Sequence, residues 1–325
     1  MTVPEVFLSP IRVAKVPAKR KKGPFEGEVV ANTPLSSCHW RLSLRLSGPA
    51  AKAFAATIPG QFAQFDIMDA ALPPASTIPP AFQDASERKL ILRRPLSFAG
   101  IDVSRSGDVI LDVLYCVLGP GTLRMTTLAA GDSLSIIGPL GNGYTVPKCA
   151  KLALLVAGGM GAPPLQHMAQ WLRQTRPKMD VMAFVGARSR EQLPYTIKRR
   201  GKSLSVVEFD RYNIPTLVAT DDGSLGYKGF VTGLLAKWLG KLATPAADVI
   251  IHTCGPEAMM KAVAAIAENH GIACQASMER MMACGIGLCQ SCAVECHGGA
   301  DTEYRLCCKD GPVFDAKDVV WETAE

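Results

Sequence analysis

A cluster of cysteines near the C-terminal end constrains this chain more than any other feature. The run Cys284-Gly285-Ile286-Gly287-Leu288-Cys289-Gln290-Ser291-Cys292 spaces three thiols as C-x4-C-x2-C, and the adjacent pair Cys307-Cys308 follows. That spacing is the plant-type pattern that holds a [2Fe–2S] cluster, because soft thiolates spread negative charge around iron and sulfide. Gly285 and Gly287 fit the pattern too, since a backbone that curls over a cluster needs left-handed dihedrals open to glycine. The fourth ligand is either Cys307 or Cys308, as neighbours in sequence do not ligate together. Zinc is the competing reading; structural zinc usually takes two short chelating pairs, and only Cys289 and Cys292 form a clean C-x2-C. Inert buried thiols are a third reading. A Rieske centre needs two histidines at matching spacings, which the lone Cys296-His297 pair does not supply.

A length of 325 residues predicts two or three domains, and 48% hydrophobic with 20% charged residues suits a globular chain with a sizeable core. No apolar run approaches the roughly 18 residues that span a bilayer. Pro4, Pro10, Arg12 and Lys15 break up any signal-peptide core, so the eleven cysteines are expected to be reduced and the location cytoplasmic. The net charge of +6 is concentrated in residues 1–24, where Arg12, Lys15, Lys19, Arg20, Lys21 and Lys22 face only Glu5. The rest is close to neutral, which argues against a nucleic-acid footprint on the folded body.

Residues 1–24 read as a flexible basic leader. From Phe25 onward, short alternating runs such as Trp40-Arg41-Leu42-Ser43-Leu44-Arg45-Leu46 predict half-buried strands, with further strands at 60–67, 90–99, 109–118 and 133–138. Such spacing predicts a small β-barrel over 25–147. Prolines at 69–88 mark a loop insertion. At Lys151 the texture changes to continuous apolar runs of the buried parallel type, beginning with Leu152-Ala153-Leu154-Leu155-Val156-Ala157. Strands at 181–185, 206–209 and 249–252 alternate with helices at 165–173, 189–200, 229–240 and 256–270, a βαβ rhythm that predicts a Rossmann-like domain over 148–271. Residues 272–325 form the cysteine-rich unit. The fold class expected is therefore multidomain β plus α/β.

Four stretches suit nucleotide binding. Arg94-Pro95-Leu96-Ser97 ends a barrel strand with a guanidinium for phosphate and a hydroxyl for a flavin edge. Gly119-Pro120-Gly121-Thr122 offers backbone N–H groups and a hydroxyl. Gly158-Gly159-Met160-Gly161 lies between a buried strand and a helix, where a backbone without Cβ atoms can approach a pyrophosphate; a packing turn is the alternative. Cys254-Gly255-Pro256 follows a second apolar strand at the same expected sheet edge. Arg188 and Arg190 follow another strand and are placed to meet a 2′-phosphate, keeping NADP open beside NAD. The five histidines show no ligand spacing and are read as structural.

The order of these stretches resembles the ferredoxin–NADP reductase superfamily. The run from Ser277-Met278-Glu279-Arg280 to Cys292, ending in Cys308-Lys309-Asp310-Gly311-Pro312-Val313-Phe314, is similar to the electron-transfer subunit of NAD-dependent (class 1B) dihydroorotate dehydrogenase. Gly138-Pro139-Leu140-Gly141-Asn142-Gly143 and Thr220-Asp221-Asp222-Gly223-Ser224 also resemble family stretches, over about residues 25–321 in all. The resemblance implies an FAD barrel, an NAD domain and a [2Fe–2S] unit. An FMN-containing catalytic subunit would be the partner, oxidising dihydroorotate and passing electrons through the cluster and FAD to NAD. A related reductase serving a sulfide dehydrogenase, a hydrogenase or a ferredoxin is the alternative. By the same resemblance, Arg94, Pro95, Leu96, Ser97, Leu114, Tyr115, Cys116, Gly121 and Thr122 line FAD. Gly158, Gly159, Gly161, Cys254, Gly255 and Pro256 then meet the nicotinamide nucleotide, with Ser97 and Cys254 as the catalytic candidates. The cluster ligands are Cys284, Cys289, Cys292 and Cys308, although Cys307 keeps the family's usual gap from the third ligand. Cys116 departs from the family, which usually has arginine after the tyrosine.

Overall fold

The computed structural model describes residues 23–200, 203–299 and 301–321. The basic run at 12–22 lies outside the described residues, and the first strand already begins at Gly23, inside the stretch expected to be leader.

Six strands close a barrel in the order β1-β2-β5-β4-β3-β6. They are β1 (Gly23–Pro34), β2 (His39–Leu46), β3 (Phe62–Phe65), β4 (Arg94–Val103), β5 (Val109–Cys116) and β6 (Ser133–Leu140). Period-two alternation works as expected here: Leu42, Leu44 and Leu46 are fully buried on β2 while the residues between them are not. They pack with Phe54, Phe65 and Phe98 inside the barrel. Helix α1 (Gly48–Phe54) supplies Phe54 to this core. The proline-rich insertion holds two short 3-10 turns and the one-turn helix α2 (Gln83–Ser86). Arg124, in α3 (Pro120–Met125), ties it down by donating to the carbonyls of Ala70 and Ser86.

The second sheet runs β12-β11-β8-β7-β13-β14-β17. Its members are β7 (Leu152–Gly158), β8 (Asp180–Ala187), β11 (Thr216–Thr220), β12 (Tyr227–Lys228), β13 (Val249–Cys254), β14 (Ala273–Ser277) and β17 (Val313–Asp315). All pairs are parallel except β14–β17. Every residue of β7 is buried, as a central strand covered on both faces requires. Helices α4 (Ala162–Thr175), α6 (Val231–Leu239) and α7 (Glu257–Asn269) cover these faces. The sheet does not stop at residue 271, because β14 and β17 bracket the cysteine-rich loops and extend it.

Two elements differ from expectation. The run Val206-Val207-Glu208-Phe209 is not a strand: α5 (Val207–Asp210) is a single helical turn that buries Phe209. The buried carboxylate of Glu208 accepts the Thr196 N–H at 3.1 Å, which turns the chain away from the sheet. The stretch 189–200 is not a helix either; it holds a 3-10 turn at Arg190–Gln192 and β9 (Ile197–Arg200), which pairs with β10 (Ser203–Val206). The sheet position left open is taken by β11, whose mixed polar edges hid it among the turns.

Candidate redox centre

The cysteine loop lies between β14 and β15 (Ala293–Gly298), and β15 pairs with β16 (Asp301–Leu306) to carry the chain back to Cys307. Gly285 and Gly287 have φ of 69° and 87°, so the loop depends on glycine for its curl. That curl aims the N–H groups of Ile286, Leu288 and Cys289 at Cys284 Sγ, at 3.5, 3.4 and 3.4 Å. Cys289 Sγ lies 3.2 Å from Ser291 Oγ. Together with backbone donors, that hydroxyl brings the Cys289 thiol down to about 6, favouring the thiolate a metal needs.

Cys307 and Cys308 point to different places. The Cys307 thiol is buried and donates to the Met278 carbonyl at 3.4 Å, inside the hydrophobic core. Cys308 faces Cys292 and Cys284, and its own N–H points at Cys292 Sγ at 3.4 Å. Donors aimed at thiolates suit a thiolate-held cluster. A single tetrahedral zinc needs its sulfurs within about 3.8 Å of one another. Among the described residues, the one set of three such ligand atoms that converges within 4.8 Å lies elsewhere, at Cys38, His39 and Cys116. A two-iron cluster, whose ligands divide into two pairs, is the better match to the C-terminal cysteines.

This loop touches both of the other units. A Cβ on Gly285 would meet the Gln64 amide of β3 at 2.5 Å, so the loop lies directly on the barrel. On the opposite side, Arg280 forms a bidentate pair with Glu257 at the start of α7, at 2.8 and 3.2 Å. Asn142, just after β6, donates to the carbonyls of Asp310 and Val313 and accepts the Val313 N–H, binding the barrel to the return strand. Around the cysteines, Met281 and Leu288 are 91% and 76% exposed, an apolar surface beside the loop.

The barrel cleft brings together residues far apart in sequence. Gln64 on β3 has Pro95 on β4 as its Cα partner, which sets it beside Arg94, Leu96 and Ser97. The Arg94 guanidinium lies over Gly121 at the start of α3, where a Cβ would meet Nε at 2.5 Å. Thr122 holds that turn, accepting the Leu118 N–H at 2.9 Å. Both polar atoms of the Gln64 amide are buried without a partner, as expected beside a site for a polar cofactor edge. With a phosphate-seeking guanidinium above a glycine turn, these residues fit a flavin dinucleotide. Leu114 packs toward the nucleotide-domain core, whereas the Tyr115 ring turns into the barrel, where its hydroxyl donates to Asn32 at 3.0 Å.

In the second sheet, β7 and β13 are parallel neighbours with Ala157 opposite Cys254, so their following loops leave the same edge side by side. A Cβ on Gly161 would overlap the Cys254 carbonyl, and one on Gly158 would meet Met259 Sδ at 2.5 Å and Pro256 Cδ at 2.9 Å. Packing thus accounts for Gly158 and Gly161. Gly159 differs: at φ 46° it faces open space, leaving its backbone approachable at the entry to α4. Gly255, at φ 152°, packs on Gly158. Burial, then the nearby Glu279 carboxylate, pushes the Cys254 thiol up to about 12, so it stays protonated. Arg188 and Arg190 are exposed beyond β8.

Comparison with known proteins agrees with this assembly. The family described as the iron-sulfur cluster binding domain of dihydroorotate dehydrogenase B matches residues 279–320, and the oxidoreductase NAD-binding domain family matches 155–265. The dihydroorotate dehydrogenase B (NAD(+)) electron transfer subunit of Desulforamulus reducens is 34% identical over 71% of this chain and 81% of its own length. That of Bacillus velezensis is 35% identical over 81% and 87%. The chain belongs to this electron transfer subunit family.

In fold, the chain is similar to an NADH-dependent reduced ferredoxin-NADP oxidoreductase, with a TM-score of 0.67, 24% identity, and 91% and 90% of the two chains covered. A ferredoxin NADP+ reductase from Neisseria gonorrhoeae solved with bound FAD and NADP gives a TM-score of 0.53 at 14% identity, over 76% and 92%. Within this family member, sequence reasoning missed three residues that join the units: Gln64, Asn142 and Arg280 as the partner of Glu257. A glutamine inside the otherwise apolar Phe62-Ala63-Gln64-Phe65 was the one signal available for the first. No helix among the described residues is long and apolar enough to cross a membrane.

Proposed function

We propose that this chain is the electron-transfer subunit of an NAD-dependent dihydroorotate dehydrogenase, relaying electrons from a dihydroorotate-oxidising catalytic subunit to NAD+. The single observation that carries the reading is the placement of the cysteine loop, with Gly285 against Gln64 of the barrel and Arg280 paired to Glu257 beside the nucleotide loop. Such contacts bring the three sites into one continuous body. When bound, FAD exchanges hydride with nicotinamide and single electrons with a [2Fe–2S] cluster, which links two-electron to one-electron chemistry.

The roles of the residues follow from their positions. Cys284, Cys289, Cys292 and Cys308 hold the cluster, and the N–H groups of residues 286, 288 and 289 stabilise negative charge on sulfur. Arg94 and the N–H groups around Gly121 bind the flavin phosphates, while Ser97 and Gln64 hydrogen-bond its ring edge. Gly159 admits the nicotinamide nucleotide at the N-terminus of α4, and Gly158, Gly161, Gly255 and Pro256 keep the two loops close. Cys254, as a neutral thiol, shapes the nicotinamide pocket. The functional units are 25–147, 148–271 and 272–325, the last sharing its strands with the second sheet. All eleven cysteines are free of disulfides, which supports a cytoplasmic location.

The test is anaerobic purification of this chain alone and with its catalytic subunit, followed by iron, sulfide and flavin analysis. Two irons and one FAD per chain, bleached by NADH, together with dihydroorotate-dependent NADH formation by the complex, are expected. Zinc without flavin would overturn the reading.

A further inference from the structure

Far in sequence from the cysteine loop, Cys38, His39 and Cys116 bring their ligand atoms within 4.8 Å of one another. The convergence follows from strand pairing. His39 begins β2 and is the Cα partner of Cys116, the last residue of β5, while Cys38 is held beside them by the Val117 N–H donating to its carbonyl at 2.8 Å. The turn before them is tied as well. Leu35 and Ser36 donate their N–H groups to the His39 carbonyl, and Ser36 Oγ accepts the N–H groups of Cys38 and His39 at 3.4 and 3.2 Å.

Ser36 Oγ also lies 2.9 Å from His39 Nδ1. That bond fixes the orientation of the ring beside the two thiols, as an outer hydrogen bond orients a metal-bound histidine. His39 is only 4% exposed and Cys38 and Cys116 are half-buried, so the ring is held by its surroundings while the thiols remain reachable. Two thiols and an imidazole form a soft donor set that selects zinc-class ions over calcium or magnesium. Ligand atoms around a tetrahedral zinc are about 3.5–3.8 Å apart, which these side chains reach by small rotamer changes.

We propose that Cys38, His39 and Cys116 form a second metal site, separate from the iron–sulfur ligands, that takes one zinc-class ion with a fourth position left for water. Binding releases one proton from each thiol and changes no oxidation state, so two thiolates and a neutral imidazole balance the charge of a divalent ion. The ion would clamp the β1–β2 turn to the end of β5, immediately before the Gly119–Thr122 turn.

The test uses the full chain with iron and flavin in place, dialysed without oxygen against chelator-buffered zinc. One zinc per chain is expected beyond the iron, with an X-ray absorption shell of two sulfurs and one nitrogen at about 2.3 and 2.0 Å. Cys38→Ser and His39→Ala are each expected to weaken zinc binding by more than about tenfold, with iron and flavin contents unchanged. Zinc gained at the expense of iron, zinc retained equally by both variants, no zinc uptake, or a Cys38–Cys116 disulfide in the anaerobic protein would each overturn the proposal.

Discussion

The cluster loop and the flavin cleft solve similar problems in opposite ways. The loop takes three ligands from nine consecutive residues, with glycines inserted where the backbone must curl; its chemistry is written locally. The cleft draws Gln64, Arg94, Ser97 and Gly121 from two strands and a helix, and none of them is informative alone. A local site is set by spacing, whereas an assembled site is set by strand register and by what a side chain cannot overlap. The two are therefore expected to fail separately when a single residue is changed.

The sharpest break is at the fourth ligand. Cys308→Ser is expected to lose iron and sulfide, and to reduce dihydroorotate-to-NAD+ turnover by at least about 100-fold, while FAD stays bound. Cys307→Ser is expected to retain iron at a stability cost of roughly 1 kcal/mol, because its thiol packs in the core rather than facing the cluster. Iron retained by the first variant and lost from the second would reverse the assignment. Arg94→Ala is the converse test. Loss of a charge-assisted hydrogen bond, about 1.5–3 kcal/mol, is expected to weaken FAD binding roughly 10- to 100-fold, with full iron content. Simultaneous loss of iron and flavin would show that the two sites are not independent.

Smaller effects come from the loops between them. Gly161→Ala places a methyl group against the Cys254 carbonyl, backbone that cannot move freely. The expected cost is about 1–3 kcal/mol, read as a lower midpoint of thermal unfolding, with a raised KM for NADH. The smallest effect is a pH slope. Burial brings His252 down from 6.5 to about 4, although its bond to the Thr145 carbonyl works the other way. The unfolded chain binds the proton first, so this contribution to stability is complete above pH 6.5 and declines as pH falls toward 4. A His252→Gln variant is expected to show a shallower decline across that window; an unchanged slope would assign it to other groups.

Much of the architecture was legible before any coordinates. Alternation marked the barrel strands, the all-apolar Leu152–Ala157 run marked the central parallel strand, and the cysteine spacing marked the metal loop. The misreadings have a common cause. Val206–Phe209 has strand-like composition, yet Glu208 bonding to Thr196 made it a helical turn, while the less apolar Thr216–Thr220 entered the sheet. Side-chain direction was equally out of reach: the Tyr115 ring faces the barrel interior and Asn32 while Leu114 faces the other way, because successive residues of a strand point to opposite sides.

His39 is the clearest limit of local reading. Nothing in its spacing suggested a ligand, but the β2–β5 register sets it opposite Cys116. Spacing alone left Cys307 and Cys308 both open, and the family resemblance favoured Cys308; the two thiols differ in direction, Cys307 toward the Met278 carbonyl and Cys308 toward Cys292. Sequence by itself determined the identity and order of the units, because hydrophobic period, glycine placement and cysteine spacing are local properties of the chain. Tertiary structure decided which thiols meet, which arginine covers which glycine, and how the loop bridges barrel and sheet. Those relations depend on register and excluded volume between residues that only folding brings together.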